Sequence, residues 1–144
     1  MSSRHRSRER ALQLLYQWES SGETPETVIA TYFKSLSDSI GGKIVSQDRF
    51  AEQLFHGVTR RAASIDEVIE RHASNWKLDR MALVDRNVLR IAIFEMDQGD
   101  SAPAVVIDEA IELARRFSGD KSSKFINGVL DAVRKTRDGS AAGD

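Results

Sequence analysis

The chain has 144 residues and a formal net charge of −1, from 21 lysines and arginines and 22 aspartates and glutamates. This length fits one domain or two small subdomains with a shared core, and 40% hydrophobic residues with two prolines and nine glycines exclude a disordered chain. The sequence contains no cysteine, no apolar run near the roughly 20 residues of a membrane span and no apolar segment typical of a secretory signal, so we expect a cytoplasmic protein without disulfides.

The first ten residues, MSSRHRSRER, form a basic arm. They contain Arg4, Arg6, Arg8 and Arg10 against one acid, Glu9, so their net charge is +3 and the rest of the chain has −4. Such a segment on a mildly acidic body indicates a polyanionic partner, most simply a nucleic-acid backbone. The alternative is a solvated helix start, but arginines oppose the helix dipole at that end, so stability does not favour their placement.

The first half of the chain shows helical spacing. Apolar residues at i, i+3, i+4 and i+7 predict a first helix over residues 5–20. The second helix is predicted to begin at Thr24, which is a typical N-cap, followed by Pro25 at the first helical position and the acid Glu26 in the first turn. It is predicted to end near Leu36.

Two further helices are expected before the middle of the chain. Gly41 and Gly42 indicate a loop over residues 37–46, after which Ser46 is a candidate cap for a third helix. Residues 64–67 match a capping box, which predicts the start of a fourth helix.

The second half of the chain is more apolar. Residues 88–96 are apolar at nearly every position, which predicts a central helix surrounded by others and ended by Gly99. A sixth helix opened by Pro103 ends at Gly119, and a seventh follows it. The sequence therefore predicts an all-α fold of about seven helices in two subdomains, about 4–75 and 76–137, with a flexible tail over 138–144.

A second basic constellation lies between the last two predicted helices. It contains basic, hydroxyl and aromatic residues on a turn: Arg115, Arg116, Phe117, Ser118, Gly119, Asp120, Lys121, Ser122, Ser123, Lys124 and Phe125. Helix N-termini favour anions, and aromatic rings stack on exposed bases. Phe117 continues an apolar stripe, so a position in the hydrophobic core is the favoured alternative for it. For Phe125, stacking on a base and packing in the core are equally favoured.

The sequence shows little that is typical of an enzyme. His5, His56 and His72 lack metal-ligand spacing, and no phosphate-binding glycine loop, nucleophile elbow or dinucleotide fingerprint is present. We therefore predict a protein without catalysis, metal or cofactor.

Short motifs in order along residues 4–134 match those of a known family. The matching residues are Arg8, Glu9, Ala11, Gln13, Leu15, Tyr16, Gly57, Val58, Asp85, Arg86, 88–92, Glu95, Pro103, Val105, 108–114, Phe117 and 124–131. On these residues the chain resembles the NusB family of bacterial transcription antitermination factors. The resemblance implies a NusB-like all-helical fold and no catalysis.

The resemblance also implies partners and a role. NusB-like proteins pair with NusE, which is also a ribosomal protein, and the pair binds the single-stranded boxA element of nascent RNA. The complex makes the elongating RNA polymerase resistant to termination, notably on ribosomal RNA operons. By position, the resemblance together with the basic constellation assigns RNA binding to Arg4, His5, Arg6, Arg8, Arg90, Phe117, Ser118, Lys121, Ser122, Lys124 and Phe125. The NusE-binding residues implied are Tyr16 and Asp85.

Alternatives and departures accompany this interpretation. A helical protein-interaction module whose basic arm binds an acidic protein is one alternative. The RNA-targeting domain of a ribosomal RNA methyltransferase is another, and the lack of a cofactor fingerprint after residue 134 argues against it. Lys121 stands where some relatives have an acid, so we expect RNA binding to depend less on the partner. The resemblance leaves the choice between monomer and homodimer open.

Overall fold

The computed structural model describes residues 3–42, 48–73 and 77–143, and within these ranges the fold consists of six α-helices and one short 3-10 helix, without strands. The helices are α1 (Ser3–Ser21), α2 (Pro25–Ser39), α3 (Arg49–His72), α4 (Leu83–Gln98), α5 (Pro103–Ser118) and α6 (Asp120–Gly143), and the 3-10 helix Leu78–Arg80 precedes α4. The all-α prediction is confirmed. None of the described helices has the length and apolar content needed to cross a membrane.

Helix α2 begins as the sequence predicts. The side chain of Thr24 accepts a hydrogen bond from the backbone N–H of Thr27 (3.3 Å), and Pro25 is the first helical residue. A threonine cap satisfies one of the N–H groups that a helix start leaves unpaired, and proline lacks the N–H that would be unpaired at its position. The helix continues to Ser39, one turn beyond the predicted end.

The predicted third and fourth helices form one helix, α3. The backbone of Arg61 departs from helical geometry (φ −116°, ψ 16°), so the helix kinks there without ending. Ser64, predicted to begin a new helix, instead donates its hydroxyl hydrogen bond to the carbonyl of Arg61 (3.0 Å). The predicted cap, Ser46, lies outside the described residues, and Asp48 caps α3 by accepting from the N–H of Ala51 (3.0 Å).

The chain divides into two compact units, residues 1–60 and 61–144. The division lies inside α3, next to its kink, whereas the sequence suggested a boundary between 75 and 76. The second half of α3 belongs to the second unit because Asp66 pairs with Arg90 of α4, and His72 is hydrogen-bonded to the hydroxyl of Thr136 on α6 (3.1 Å).

The first unit contains α1, α2 and the first half of α3, and α1 packs against α2. The i, i+3 and i+4 positions of the predicted first helix, Ala11, Leu14 and Leu15, are buried, whereas Trp18 at i+7 is only partly buried. The other buried apolar side chains of this unit are Leu12, Val28, Ala51, Leu54, Phe55 and Val58.

In the second unit, α4 is the most buried helix. Every residue over 87–95 is buried, and α4 packs against both α5 and α6. The predicted central helix is thereby confirmed. It ends at Gly99, whose left-handed backbone (φ 74°, ψ 10°) is the conformation that a helix C-cap favours and that glycine adopts without strain.

One residue, Gly119, separates α5 from α6. Its φ of 95° is a conformation that side chains rarely adopt, so glycine is required for this tight turn. The turn places Ser118 at the end of α5 close to Lys121 and Ser122 in the first turn of α6. Helix α6 continues to Gly143, through most of the segment that the sequence suggested as a flexible tail.

Candidate nucleic-acid interface

The basic arm is the beginning of α1, and its side chains face in different directions. Arg4 and Arg6 are exposed and His5 is partly exposed, whereas Arg8 is only 5% exposed. Of the four residues predicted here for RNA binding, Arg4 and Arg6 therefore present the most accessible charge.

The arm is anchored on the start of α3. The guanidinium of Arg4 lies 4.7 Å from the centre of the Phe50 ring, and that of Arg8 lies 5.5 Å from it. Both distances fall within the range of cation–π attraction, which is about 6 Å. One aromatic ring thus holds two arginines one helical turn apart.

Asp48 supplies a second anchor for the arm. The hydroxyl of Ser7 donates to its carboxylate at 2.7 and 2.9 Å, and Arg10 forms an ion pair with it at 3.0 Å. Burial raises the pKa of Asp48, but the hydrogen bonds from Ala51, Ser7 and Arg10 and the charge of Arg10 outweigh it, and the net pKa lies below the ordinary value. Sequence reasoning missed this anchor, because Asp48 lies 41 residues from Ser7 along the chain and nothing local links the two.

The second unit contains a cleft of about 500 Å³ between the 3-10 helix, the start of α4 and the α5–α6 junction. The lining residues comprise apolar, hydroxyl, basic and acidic side chains: Met81, Ala82, Phe125, Ser118, Ser122, Arg80, Lys121 and Asp85. Four of the residues predicted for RNA binding therefore meet in one place. Asp85, predicted for the partner surface, lies with them.

Asp85 is a buried acid with incomplete hydrogen bonding. Asp85 is 9% exposed. Its Oδ2 accepts a hydrogen bond from the hydroxyl of Ser122 at 3.3 Å, and its buried Oδ1 has no hydrogen-bond partner. Burial raises the pKa of Asp85 above its ordinary value, and the hydrogen bond from Ser122 offsets this only in part.

The two phenylalanines of the junction have different environments. Phe117 is 39% exposed, with the guanidinium of Arg116 at 5.8 Å from its ring centre. The favoured core interpretation of Phe117 is therefore wrong, because this residue lies in the last turn of α5 and its side chain is exposed. Phe125 is half-buried and forms part of the cleft wall.

The remaining predicted residues of the junction are polar and mostly accessible. Ser118, Lys121 and Lys124 are exposed, and Ser122 is partly exposed. Arg80, on the opposite side of the cleft, is an exposed basic residue that sequence reasoning did not identify. The sequence around Arg80 gave little indication of a binding role, because single arginines are common in short linking segments.

Arg90 has a structural environment. It is 5% exposed, its Nε and Nη2 donate to the two carboxylate oxygens of Asp66 at 2.7 and 2.8 Å, and its Nη1 donates to Asn87 at 2.9 Å. A guanidinium held in this fork on a buried helix does not face a polyanion. The RNA contact expected for Arg90 is accordingly replaced by an interior ion pair.

Tyr16 of α1, predicted to face a partner protein, is 55% exposed, more than the other exposed large hydrophobic side chains of the described residues. Over the same part of the chain, no group of histidine, aspartate and glutamate side chains is arranged to hold a metal ion. The Nε2 atom of His5 lies 3.4 Å from Oε1 of Glu9, which is one turn further along α1.

Comparison with known proteins gives a consistent result. The NusB family matches residues 5–135. The chain is 44% identical over 135 residues to the transcription antitermination protein NusB of Solibacter usitatus (strain Ellin6076), covering 94% of this chain and 90% of that protein.

Solved structures show the same likeness. The chain is similar to T. maritima NusB, with a TM-score of 0.76 and 33% identity over 93% of this chain and 92% of that one. It is also similar to a chain in the crystal structure of antitermination factors NusB and NusE in complex with dsRNA, with a TM-score of 0.74, 28% identity and coverage of 94% and 99%.

Proposed function

The chain belongs to the NusB family, and on this basis we propose that it is an RNA-binding transcription antitermination factor that pairs with a NusE-like protein. Its 44% identical relative is named a transcription antitermination protein, and a 28% identical structural relative forms a complex with NusE and RNA. The protein acts by binding and not by catalysis. Its RNA target is the single-stranded boxA element, and its main setting is the transcription of ribosomal RNA operons in the cytoplasm.

The observation that carries this proposal is the cleft at the α5–α6 junction. Exposed Lys121 and Arg80 line this cleft together with the ring of Phe125 and the hydroxyl residues Ser118 and Ser122. Cations neutralise phosphates, an aromatic ring stacks on an unpaired base, and hydroxyls donate to base edges or sugar. A single strand offers all three groups together, because its bases are not paired with each other.

The basic arm adds a second RNA-binding surface in the first unit. Arg4 and Arg6 are exposed on a helix that Phe50 and Asp48 hold in place. If the arm and the cleft together neutralise about four phosphates, log K falls with log salt at a slope near −3, since each phosphate on a single strand contributes about −0.7.

The partner surface in this proposal includes Tyr16. A tyrosine with 55% of its surface exposed is typical of a protein contact, because tyrosine buries a large area at low entropic cost and is enriched in interfaces. In the second unit, Asp85 is proposed as a further partner contact. A homodimer is the alternative to the monomer for the free protein.

Titration of fluorescently labelled boxA-like RNA tests the proposal. A scrambled RNA of equal composition is the control, and both are titrated with and without a NusE-like protein at two salt concentrations. We expect preference for boxA, tighter binding with the partner and weaker binding at high salt. If both RNAs bind equally and weakly and the partner has no effect, the arm attracts any polyanion through its charge alone, and the proposal is contradicted.

A further inference from the structure

The last turn of α5 contributes no buried side chain to the second unit. Arg115, Arg116, Phe117 and Ser118 are all exposed, whereas residues 113–114 directly before them are buried. A helical turn with few buried contacts opens at a low free energy, because little apolar surface is lost from the core. This turn can therefore straighten and be presented to another protein while the rest of α5 stays packed.

The exposed turn has a sequence that protein kinases recognise. Ser118 is the one serine of the chain with arginines at both the second and the third position before it. Kinases of the basophilic class select this pattern, because carboxylates in their substrate cleft bind the planar guanidinium groups. Arg115 is available for such a contact, since its ion pairs with Glu112 (2.7 Å) and Asp120 (3.4 Å) join exposed groups and contribute little to stability.

We propose that Ser118 is a phosphorylation site for a protein kinase of this class, and that its phosphate weakens RNA binding at the cleft. The inference rests on the proposed function, because it names the regulation of the RNA-binding cleft. In the reaction, Oγ of Ser118 attacks the γ-phosphorus of ATP held by the kinase, and the new O–P bond forms as the bond to ADP breaks. The hydroxyl proton passes to the catalytic aspartate of the kinase.

The phosphate reverses the charge of the cleft. Ser118 lines the cleft together with two cations, Arg80 and Lys121, and one acid, Asp85. Phosphoserine carries a charge of about −1.5 to −2 at neutral pH. This charge outweighs the positive excess of the lining residues, so the backbone phosphates of an RNA strand are repelled where they were attracted.

The start of α6 favours a phosphate at this position. A single residue, Gly119, separates Ser118 from α6. The modified side chain therefore lies close to a helix end whose first N–H groups lack carbonyl partners and carry partial positive charge. Lys121, in the first turn of α6, is a cation with which the phosphate can pair, and a lysine paired in this way is also removed from contact with RNA.

Ser7 provides a comparison within the chain. Arg4 precedes it by three residues and Arg6 by one, so it too follows a basic segment. However, Ser7 is 5% exposed, and its hydroxyl donates to the carboxylate of Asp48 at 2.7 Å. The hydroxyl is therefore closed to a kinase while α1 is folded, and burial separates two serines that have similar sequences before them.

The first part of the test measures the modification. The full chain is incubated with ATP and the catalytic subunit of cyclic-AMP-dependent protein kinase, a basophilic kinase that serves as the probe. Intact mass and peptide mapping then locate the phosphate. We expect a single phosphate, on Ser118 and not on Ser7. Ser118→Ala should take up none, and Arg116→Gln, which keeps the serine but removes one recognition group, should react more slowly.

The second part measures RNA binding. Titration of the labelled boxA-like RNA compares treated and untreated samples of the same variant, because Ser118 is itself proposed for the RNA surface. We expect the phosphorylated chain to bind about tenfold more weakly at low salt, with a salt slope shallower by about 1.4, since two cations no longer neutralise RNA phosphates at about 0.7 each. Treated and untreated Ser118→Ala should bind equally. Circular dichroism melts confirm that the phosphorylated chain is folded.

Each contrary result has a separate meaning. If the folded chain takes up phosphate on Ser7 or takes up none, the modification site is wrong, whereas a boxA preference of the untreated chain keeps the proposed function. If Ser118 is phosphorylated and the RNA affinity is unchanged, the regulation is wrong. If the untreated chain binds no RNA, the proposed function fails and the regulation of RNA binding fails with it.

Discussion

Replacing Arg90 by alanine is expected to destabilise the protein by about 3 kcal/mol without weakening RNA binding by the folded variant. Removing one member of a buried ion pair costs about 3–5 kcal/mol, because the other charge stays buried and unpaired. The Arg90 side chain is 6% exposed and that of Asp66 is 18% exposed. Water reaches part of the Asp66 carboxylate, so the lower end of that range applies.

The assay is thermal denaturation followed by helical circular dichroism. For a chain of this size each kcal/mol of destabilisation lowers the melting temperature by about 2–4 °C, so a fall of about 6–12 °C is expected. Arg90→Lys keeps the charge but loses the planar fork that bonds both oxygens of Asp66. Its melting temperature should therefore lie between those of the unaltered protein and Arg90→Ala. RNA titrations well below the melting temperature complete the comparison.

A double-mutant cycle with Asp66→Ala isolates the pair. The double variant should be less destabilised than the sum of the single variants, because no unpaired charge remains. The reasoning is refuted if Arg90→Ala melts at the unaltered temperature and binds RNA at least tenfold more weakly. That result would return Arg90 to the RNA surface.

Four further predictions follow from the two surfaces. Phe50→Leu should weaken RNA binding about two- to fivefold in equilibrium titrations, because each cation–π contact that orients Arg4 contributes about 0.5–1 kcal/mol at exposed sites; Phe50→Tyr should retain the affinity. Phe125→Ala should lose about 1–3 kcal/mol of RNA affinity with little change in melting if the ring stacks on a base, whereas a loss of about 3–5 kcal/mol of stability would make it a core residue. Lys121→Asp should weaken partner-free RNA binding and make the salt slope shallower by about 0.7, and an unchanged affinity would contradict the role given to Lys121. Folding lowers the pKa of Asp48. Its contribution to stability is therefore present above the unfolded pKa, about 4, and is lost as the pH falls through the folded value. In thermal melts from pH 7 into acid, Asp48→Asn should melt at a lower temperature than the unaltered protein at pH 7, and the two melting temperatures should converge in acid.

The helix bounds that the sequence predicted well depend on local chemistry. Thr24 and Pro25 begin α2 because a hydroxyl acceptor and a missing N–H satisfy that helix end without help from other elements. The continuity of α3 was not predictable in the same way. Ser64 has the residue type and spacing of a cap, but a serine hydroxyl also bonds back to a carbonyl one turn earlier, and only packing decides between the two.

For the candidate site, residue type was a good guide and burial was not. Arg4 and Arg8 lie one helical turn apart on the same face of α1 and both lie over Phe50, yet Arg4, at the start of the helix, is exposed and Arg8 is buried. Arg90 interrupts an apolar run, which is equally typical of a ligand contact and of an interior ion pair. Its partner Asp66 lies 24 residues away, so nothing local in the sequence indicates the pair.

The anchored arm and the cleft suggest a division of labour in RNA binding. Exposed Arg4 and Arg6 contribute charge, which holds any phosphate backbone and weakens as salt rises. Asp85 contributes a negative charge that opposes this general attraction at the cleft. A NusE-like protein that contacts Asp85, as proposed above, would cover this charge. The contribution of the cleft to RNA affinity is therefore expected to rise when the partner binds, whereas the contribution of the arm depends on salt.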